Sequence, residues 1–271
     1  MRGQYSTRRT IAAVMLALAG PAVAVALGND AVAAQEQTSA IPRAADGRPD
    51  LSGIWQTLST AEYGLEPHGG RKDAPPGRGA VEGGTIPYQP WALEQRAKNF
   101  AARATADPRL KCFTLGTPRG IYGAEPFQIF QRPRDLTVVH QFGHSVRTIH
   151  TNGTEHPEGP LDFWAGDSRG RWDGDTLVVD VVYFNGETWL DRAGNFHSDQ
   201  LHVVERWTPI DANTIRYAAT LEDPKVYTRP WTLSVLLHRH REPDAQLIEN
   251  YCYTHDFDQF YPVPAAEART R

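Results

Sequence analysis

Sulfur is scarce in this chain, with two cysteines and two methionines among 271 residues. There is no Cys-x-x-Cys pair, so the spacings that thiol exchange and zinc ribbons require are missing. Cys112 and Cys252 leave two readings open: one disulfide tying an early loop to the last strand, or two unrelated buried thiols. Runs of lysine and arginine are missing too, and the formal net charge is −4. Both facts argue against nucleic acid or an anionic membrane surface as the partner. The chain has no G-x-S-x-G elbow, no G-x-G-x-x-G after a strand and no G-x-x-x-x-G-K loop, which removes the usual nucleophile and nucleotide fingerprints. Ser198 lies between His197 and Asp199, but triads assemble in space rather than from neighbours.

The apolar run in residues 11–27 is Ala-rich and carries Gly20 and Pro21. It falls short of the ~20 residues that a bilayer crossing needs. With Arg2, Arg8 and Arg9 before it and Ala31-Val32-Ala33 after it, residues 1–33 read as an export signal, so a periplasmic or secreted protein is expected. Thr7-Arg8-Arg9-Thr10-Ile11 resembles a twin-arginine signal. Signal removal discards three arginines against Asp30 alone, leaving a more negative chain with no stable membrane association expected. Asn152-Gly153-Thr154 fits a glycosylation sequon, but beside a bacterial-looking signal it reads as a turn.

Residues 34–49 are polar and read as a flexible leader, residues 50–262 as one β-barrel domain, and residues 263–271 as a tail. Residues 64–90 hold many Gly and Pro with little apolar periodicity and read as a long loop. Pro90 suits a first helical turn, and Leu93, Ala97, Phe100, Ala101 and Ala104 follow at helical spacing, so one helix is expected over about 90–104. Beyond Phe127 the period changes to two. Strands are expected at 136–142, 146–151, 176–184, 201–208, 214–222, 231–238 and 246–254, with Asp173-Gly174 as a hairpin turn. Many strands, short turns and a single helix predict an antiparallel meander, closed as an up-and-down, lipocalin-like barrel because closure removes the edges. Gly53-x-Trp55 resembles the lipocalin G-x-W. A β-sandwich is the alternative.

Candidate chemistry lies in residues 170–206. Asp180 sits in a strand apolar on both faces, so it needs a cation or donors. It reads as a pocket acid or base, or as the structural partner of an arginine such as Arg147 or Arg206. His202, Val204 and Arg206 share one strand face, opposite Leu201, Val203, Glu205 and Trp207. If the first face lines the interior, His202 is a proton-transfer group and Arg206 a fixed cation, with His197 and Asp199 as a second acid–base pair at the rim. Capping of the strand entry is the competing reading. Arg147, Trp189, Tyr217 and Tyr227, with Asp180, form the expected substrate shell for a small apolar or aromatic molecule.

No cofactor is expected. A divalent metal would have His197, His202 and Glu205 as its best ligand set, although His202 and Glu205 point to opposite faces of a regular strand. His144 and His150 would lie roughly 20 Å apart on an extended strand at ~3.3 Å per residue, too far to share an ion.

Lys111-Cys112, GRWDGDTLVVD at 170–180, TWLD at 188–191, HSDQLHVVER at 197–206 and EDPKVYT at 222–228 together resemble a widespread family of exported bacterial proteins. The resemblance covers residues 51–255, implies one continuous domain and brings no activity with it. The leading expectation is a cofactor-independent acid–base enzyme of lyase, isomerase or hydrolase type. The alternatives are a lipocalin-like binding protein and a metal-dependent hydrolase.

Overall fold

The computed structural model describes residues 40–252. The expected signal, residues 34–39 of the leader, residues 253–262 and the tail lie outside the described residues. Nine strands and one helix follow in chain order: β1 (Gly53–Thr57), α1 (Pro90–Ala106), β2 (Phe127–Arg132), β3 (Asp135–His140), β4 (Val146–His150), β5 (Asp167–Asp173), β6 (Thr176–Val182), β7 (His202–Asp211), β8 (Thr214–Glu222) and β9 (Trp231–Arg239). The strands close into one barrel in sequence order, β9 returning to pair with β1. Closure excludes the sandwich.

Two expectations need correction. The meander is antiparallel except between β4 and β5, which pair in parallel through Ile149 with Ser168 and His150 with Arg169. Parallel neighbours cannot be joined by a tight turn. Residues 151–166 therefore cross back over the barrel's outer side before β5 starts. The strand expected at 246–254 is absent from its described part: residues 246–252 carry no strand. Because β9 is already paired with β1 and β8, no long open edge remains for a further strand. Cys252 is instead bonded to Cys112, with Cα atoms 5.3 Å apart. This is an ordinary disulfide span.

The β5–β6 turn sits one residue later than expected. Asp173 pairs with Thr176, leaving Gly174-Asp175 as the two-residue connection, and Gly174 has φ +58°. A glycine in the first position suits the turn twist that matches the strands.

Register sorts the side chains. Gly170 lies opposite Val179, Val179 opposite Glu205, and Glu205 opposite Ala219. The next inward row holds Trp172, Leu177, Trp207 and Tyr217. Glu205, Trp207 and Tyr217 are fully buried, so the Glu205 face of β7 is the interior one. Small residues on either side of Glu205 leave room for its partners. Arg147 reaches in from β4 and donates two hydrogen bonds to the carboxylate, at 3.0 and 2.5 Å, and a third to Ser168 Oγ at 3.0 Å. Tyr217 donates its hydroxyl to Glu205 Oε1 at 2.6 Å.

Burial disfavours the Arg147 charge, but Glu205 outweighs it, and the guanidinium holds its proton more tightly than usual. Burial, reinforced by the Glu205 charge, pushes the Tyr217 hydroxyl well above the ordinary tyrosine range. Arg147 and Tyr217, expected in a substrate shell, are thus consumed by an interior carboxylate. The opening lined by Arg147 and His140 holds about 20 Å³, room for roughly one water.

Removing one partner of a buried ion pair strands the other, a loss of about 3–5 kcal/mol. Glu205→Ala is expected to lower unfolding free energy by that amount in urea titrations. Arg206→Ala, which removes an exposed partner of Asp173, is expected to change it by about 0.5 kcal/mol or less.

Candidate functional site

The outer face of the same strands carries the titratable cluster. Strand alternation puts Asp167, Arg169 and Arg171 of β5 outside, with Val178, Asp180 and Val182 of β6 and His202, Val204 and Arg206 of β7. In one row Arg169 lies opposite Asp180, and Asp180 opposite Val204. His202 stands one row along, opposite Glu222 of β8. The crossover 151–166 lies above these rows and supplies His156.

These groups form one continuous chain of hydrogen bonds. Arg169 clamps Asp167 through Nε at 2.6 Å and Nη2 at 2.9 Å, and its Nη1 donates to Thr154 Oγ1 of the crossover at 2.7 Å. His156 Nδ1 lies 2.6 Å from Asp167 Oδ1, and its Nε2 lies 2.9 Å from Asp180 Oδ2. The other Asp180 oxygen is 2.6 Å from His202 Nε2. Both His156 nitrogens face carboxylate oxygens, which accept only, so both bonds are complete only when the ring carries two protons. His202 spends Nε2 on Asp180, and among the described residues its Nδ1 makes no hydrogen bond.

A cleft of about 400 Å³ lies between the crossover and the strands. Its walls include Glu155, His156, Arg171, Val178, Asp180 and Val204. The side chains of Asp180 and His202 are 44% and 39% exposed, which leaves both accessible to a solute. The hydrogen bond to Asp180 raises the His202 pKa above the ordinary 6.5 against a smaller opposing burial effect, with the charges of Asp180 and Glu222 adding to it. The same bond, against burial and with help from His156, holds Asp180 below the ordinary 3.8. Burial works to raise Asp167, but Arg169 and His156 outweigh it and its pKa is lowered.

Backbone strain marks the same place. Tyr183, directly after β6, has φ +64°, a conformation that is unfavourable for a bulky side chain. Its carbonyl accepts from Phe163 N of the crossover at 2.8 Å. Its ring meets the His156 ring edge-on at 6.0 Å between centroids.

The other sequence-derived candidates lie elsewhere. The face holding His202 and Arg206 is the outer one, because Glu205 and Trp207 take the interior. Arg206 pairs with Asp173 at 3.3 Å at an exposed position. Asp180 bonds two histidines, not Arg147 or Arg206. His197 is buried; Thr188 Oγ1 lies 2.8 Å from its Nε2, and its Nδ1 donates to Ser198 O at 2.8 Å. Burial lowers its pKa. Asp199 points outward to Lys225 Nζ at 2.7 Å, so His197 and Asp199 do not act as a pair beside His202. Tyr227 donates to Phe196 O at 2.7 Å and packs against Tyr88 and Trp231. Trp189 bridges Phe196. Both belong to the loop layer at the end of the barrel where β7 begins, not to the cleft. The proposed metal set is scattered: His197 in that layer, His202 outside, Glu205 inside. Among the described residues no three His, Cys, Asp or Glu side chains converge on a metal position.

Sequence reasoning overlooked His156, Asp167 and Arg169. His156 lies on the crossover that a parallel pair demands, outside the strands whose alternation the sequence reveals. Asp167 and Arg169, spaced two apart just before the hairpin, were the available signal. The chain matches no protein-family model, no curated protein and no solved structure.

The raised His202 pKa means that its bond to Asp180 stabilises the fold fully below 6.5 and loses this effect as pH rises through the folded value. The lowered Asp180 pKa stabilises above 3.8 and is lost as pH falls through its folded value. The stability gap between the native protein and Asp180→Asn should therefore be widest between these limits and shrink on either side. Urea unfolding across the pH range, with ring ¹⁵N NMR of His202, checks this. A His202 titration midpoint that Asp180→Asn leaves unmoved would contradict it.

Proposed function

We propose that the protein is an acid–base enzyme working in the outer cleft, with His202 as its proton-transfer group. The observation that carries the reading is the 2.6 Å bond from His202 Nε2 to Asp180, a wall residue of the open cleft that His202 adjoins through this bond, with Nδ1 unbonded among the described residues. In neutral His202 the Nε2 proton goes to Asp180, so the lone pair resides on Nδ1, ready to take a proton. The carboxylate then steadies the imidazolium that forms. His156 braces Asp180 from the other side, and the Arg169–Asp167 pair braces His156.

The substrate we infer is a small molecule bearing an anionic group. Arg171 lines the cleft and makes no ion pair among the described residues, so it can meet that group. This replaces the apolar or aromatic substrate expected from a barrel interior, because the interior is filled by Trp55, Phe127, Trp207 and Tyr217. Proton abstraction next to a carboxylate, as in lyase or isomerase chemistry, needs these two elements together: a base and a fixed cation.

Deuterium incorporation at the α-carbon of small carboxylic and keto acids in D₂O, followed by proton NMR, tests the reading directly. The native protein is expected to accelerate exchange with a rate that rises as pH climbs through the His202 pKa. His202→Gln should cut the rate by about 10²-fold or more, and Asp180→Asn should move the inflection to lower pH. Exchange no faster than buffer across the panel, or full activity in His202→Gln, rejects the assignment.

A further inference from the structure

A further cavity, of about 160 Å³, lies between residues 64–71, the middle of α1 and residues 193–195. Glu66, His68, Arg71, Arg96, Phe100 and Asn195 are among its walls. Three guanidinium groups gather on one ring there: Arg71, Arg96 and Arg103 stand 5.3, 5.8 and 4.1 Å from the Phe100 centroid. Two carboxylates answer them. Glu66 pairs with Arg96 at 3.3 Å. Asp73 pairs with Arg103 at 2.8 Å and lies 3.5 Å from Arg71 Nε. One positive charge is left over.

Two polar atoms of the cavity's side chains are buried with no hydrogen-bond partner among the described residues, His68 Nε2 and Arg71 Nε. Several neighbouring groups are occupied. His68 Nδ1 donates to Glu66 O at 2.8 Å, Arg71 Nη2 donates to Tyr63 O at 3.1 Å, and Glu66 accepts from Ile86 N at 2.9 Å. Buried polar groups are rarely left unbonded, so each such atom calls for an account. The surplus cation asks for an acceptor bearing negative charge, and His68 Nε2, a lone-pair acceptor while Nδ1 donates to Glu66 O, can take a hydrogen bond from a protonated oxygen of such a group.

We propose that this cavity is a binding site for a small oxyanion, a carboxylate or phosphate group, held by Arg71 and His68. The site is separate from the His202 cleft and does not depend on the function assigned there. Two arginines and a histidine stand in its wall, where Glu66 is already paired with Arg96, and its size suits the anionic end of a small metabolite.

Isothermal titration of the full-length chain with inorganic phosphate and, separately, with acetate tests the proposal and tells the two sources apart. Saturable one-to-one binding of at least one anion is expected. Arg71→Gln should weaken it about tenfold or more, since a charge-assisted hydrogen bond is lost. His68→Ala is the second variant in case Arg71→Gln unfolds, and it too should weaken binding. Arg171→Gln, in the other cleft, should leave this binding intact. No saturable binding of either anion overturns the proposal. So does binding that Arg171→Gln abolishes while Arg71→Gln and His68→Ala retain native affinity.

Discussion

The architecture turns on one buried carboxylate. Glu205 is fully enclosed, and an enclosed carboxylate is tolerable only with charge and hydrogen bonds supplied. Arg147, Ser168 and Tyr217 provide these from three other strands: Arg147 and Tyr217 bond Glu205, and Ser168 accepts from Arg147. Because strand side chains alternate, a slip of β7 by one residue would turn Glu205 to solvent, away from Arg147 and Tyr217, and take His202 and Arg206 from their outer partners Asp180 and Asp173. The ion pair therefore acts as a register lock, whatever its net effect on stability. Once β7 is locked, β6 and β8 follow through their pairing, and Asp180 and His202 must stand on the outer face.

A second constraint brings the outer groups together. Parallel pairing of β4 with β5 obliges the chain to travel back to the end of the barrel where β4 began. It does so over β5 and β6, and the returning segment carries His156 to a position between Asp167 and Asp180. The strained Tyr183 and the bond from Phe163 N to its carbonyl fasten the far end of that segment. In an all-antiparallel meander a short turn would link β4 and β5, and neither the cleft nor the relay would exist. The topology that departs from the simplest reading of the chain is what builds the site.

Most of the barrel was legible because alternation is a local signal. The helix, the hairpin turn to within one residue and the strands from β6 to β9 follow from periods and turn residues alone. Local signals do not say which face turns inward. His202 and Arg206 look as suited to an interior as Glu205 does, and the choice depends on Arg147, 58 residues earlier. Nor can alternation reveal whether a connection returns or crosses. Residues 151–166 are rich in Gly and Pro and read as a loop in either case, so the partner of Asp180 was sought among arginines on strands. The same gap explains His197 and Asp199, neighbours in sequence that separate into a buried ring and a solvent-facing ion pair.

The two carboxylate networks make opposite use of burial. Glu205 is sealed against Arg147, a partner that keeps its proton more tightly than usual. Asp180 is bound to histidines and left half-exposed, so its partners can exchange protons with solvent or a solute. Both of its oxygens are engaged, one by His202 and one by His156. A proton gained by His202 strengthens its own bond and draws on the charge that also holds His156. By the reciprocity of linked equilibria, the hold on the crossover must then depend on the ionisation of His202, and a solute that displaces the crossover must shift that ionisation in return. Seating both histidines on one carboxylate thus couples the crossover above the cleft to His202 on β7.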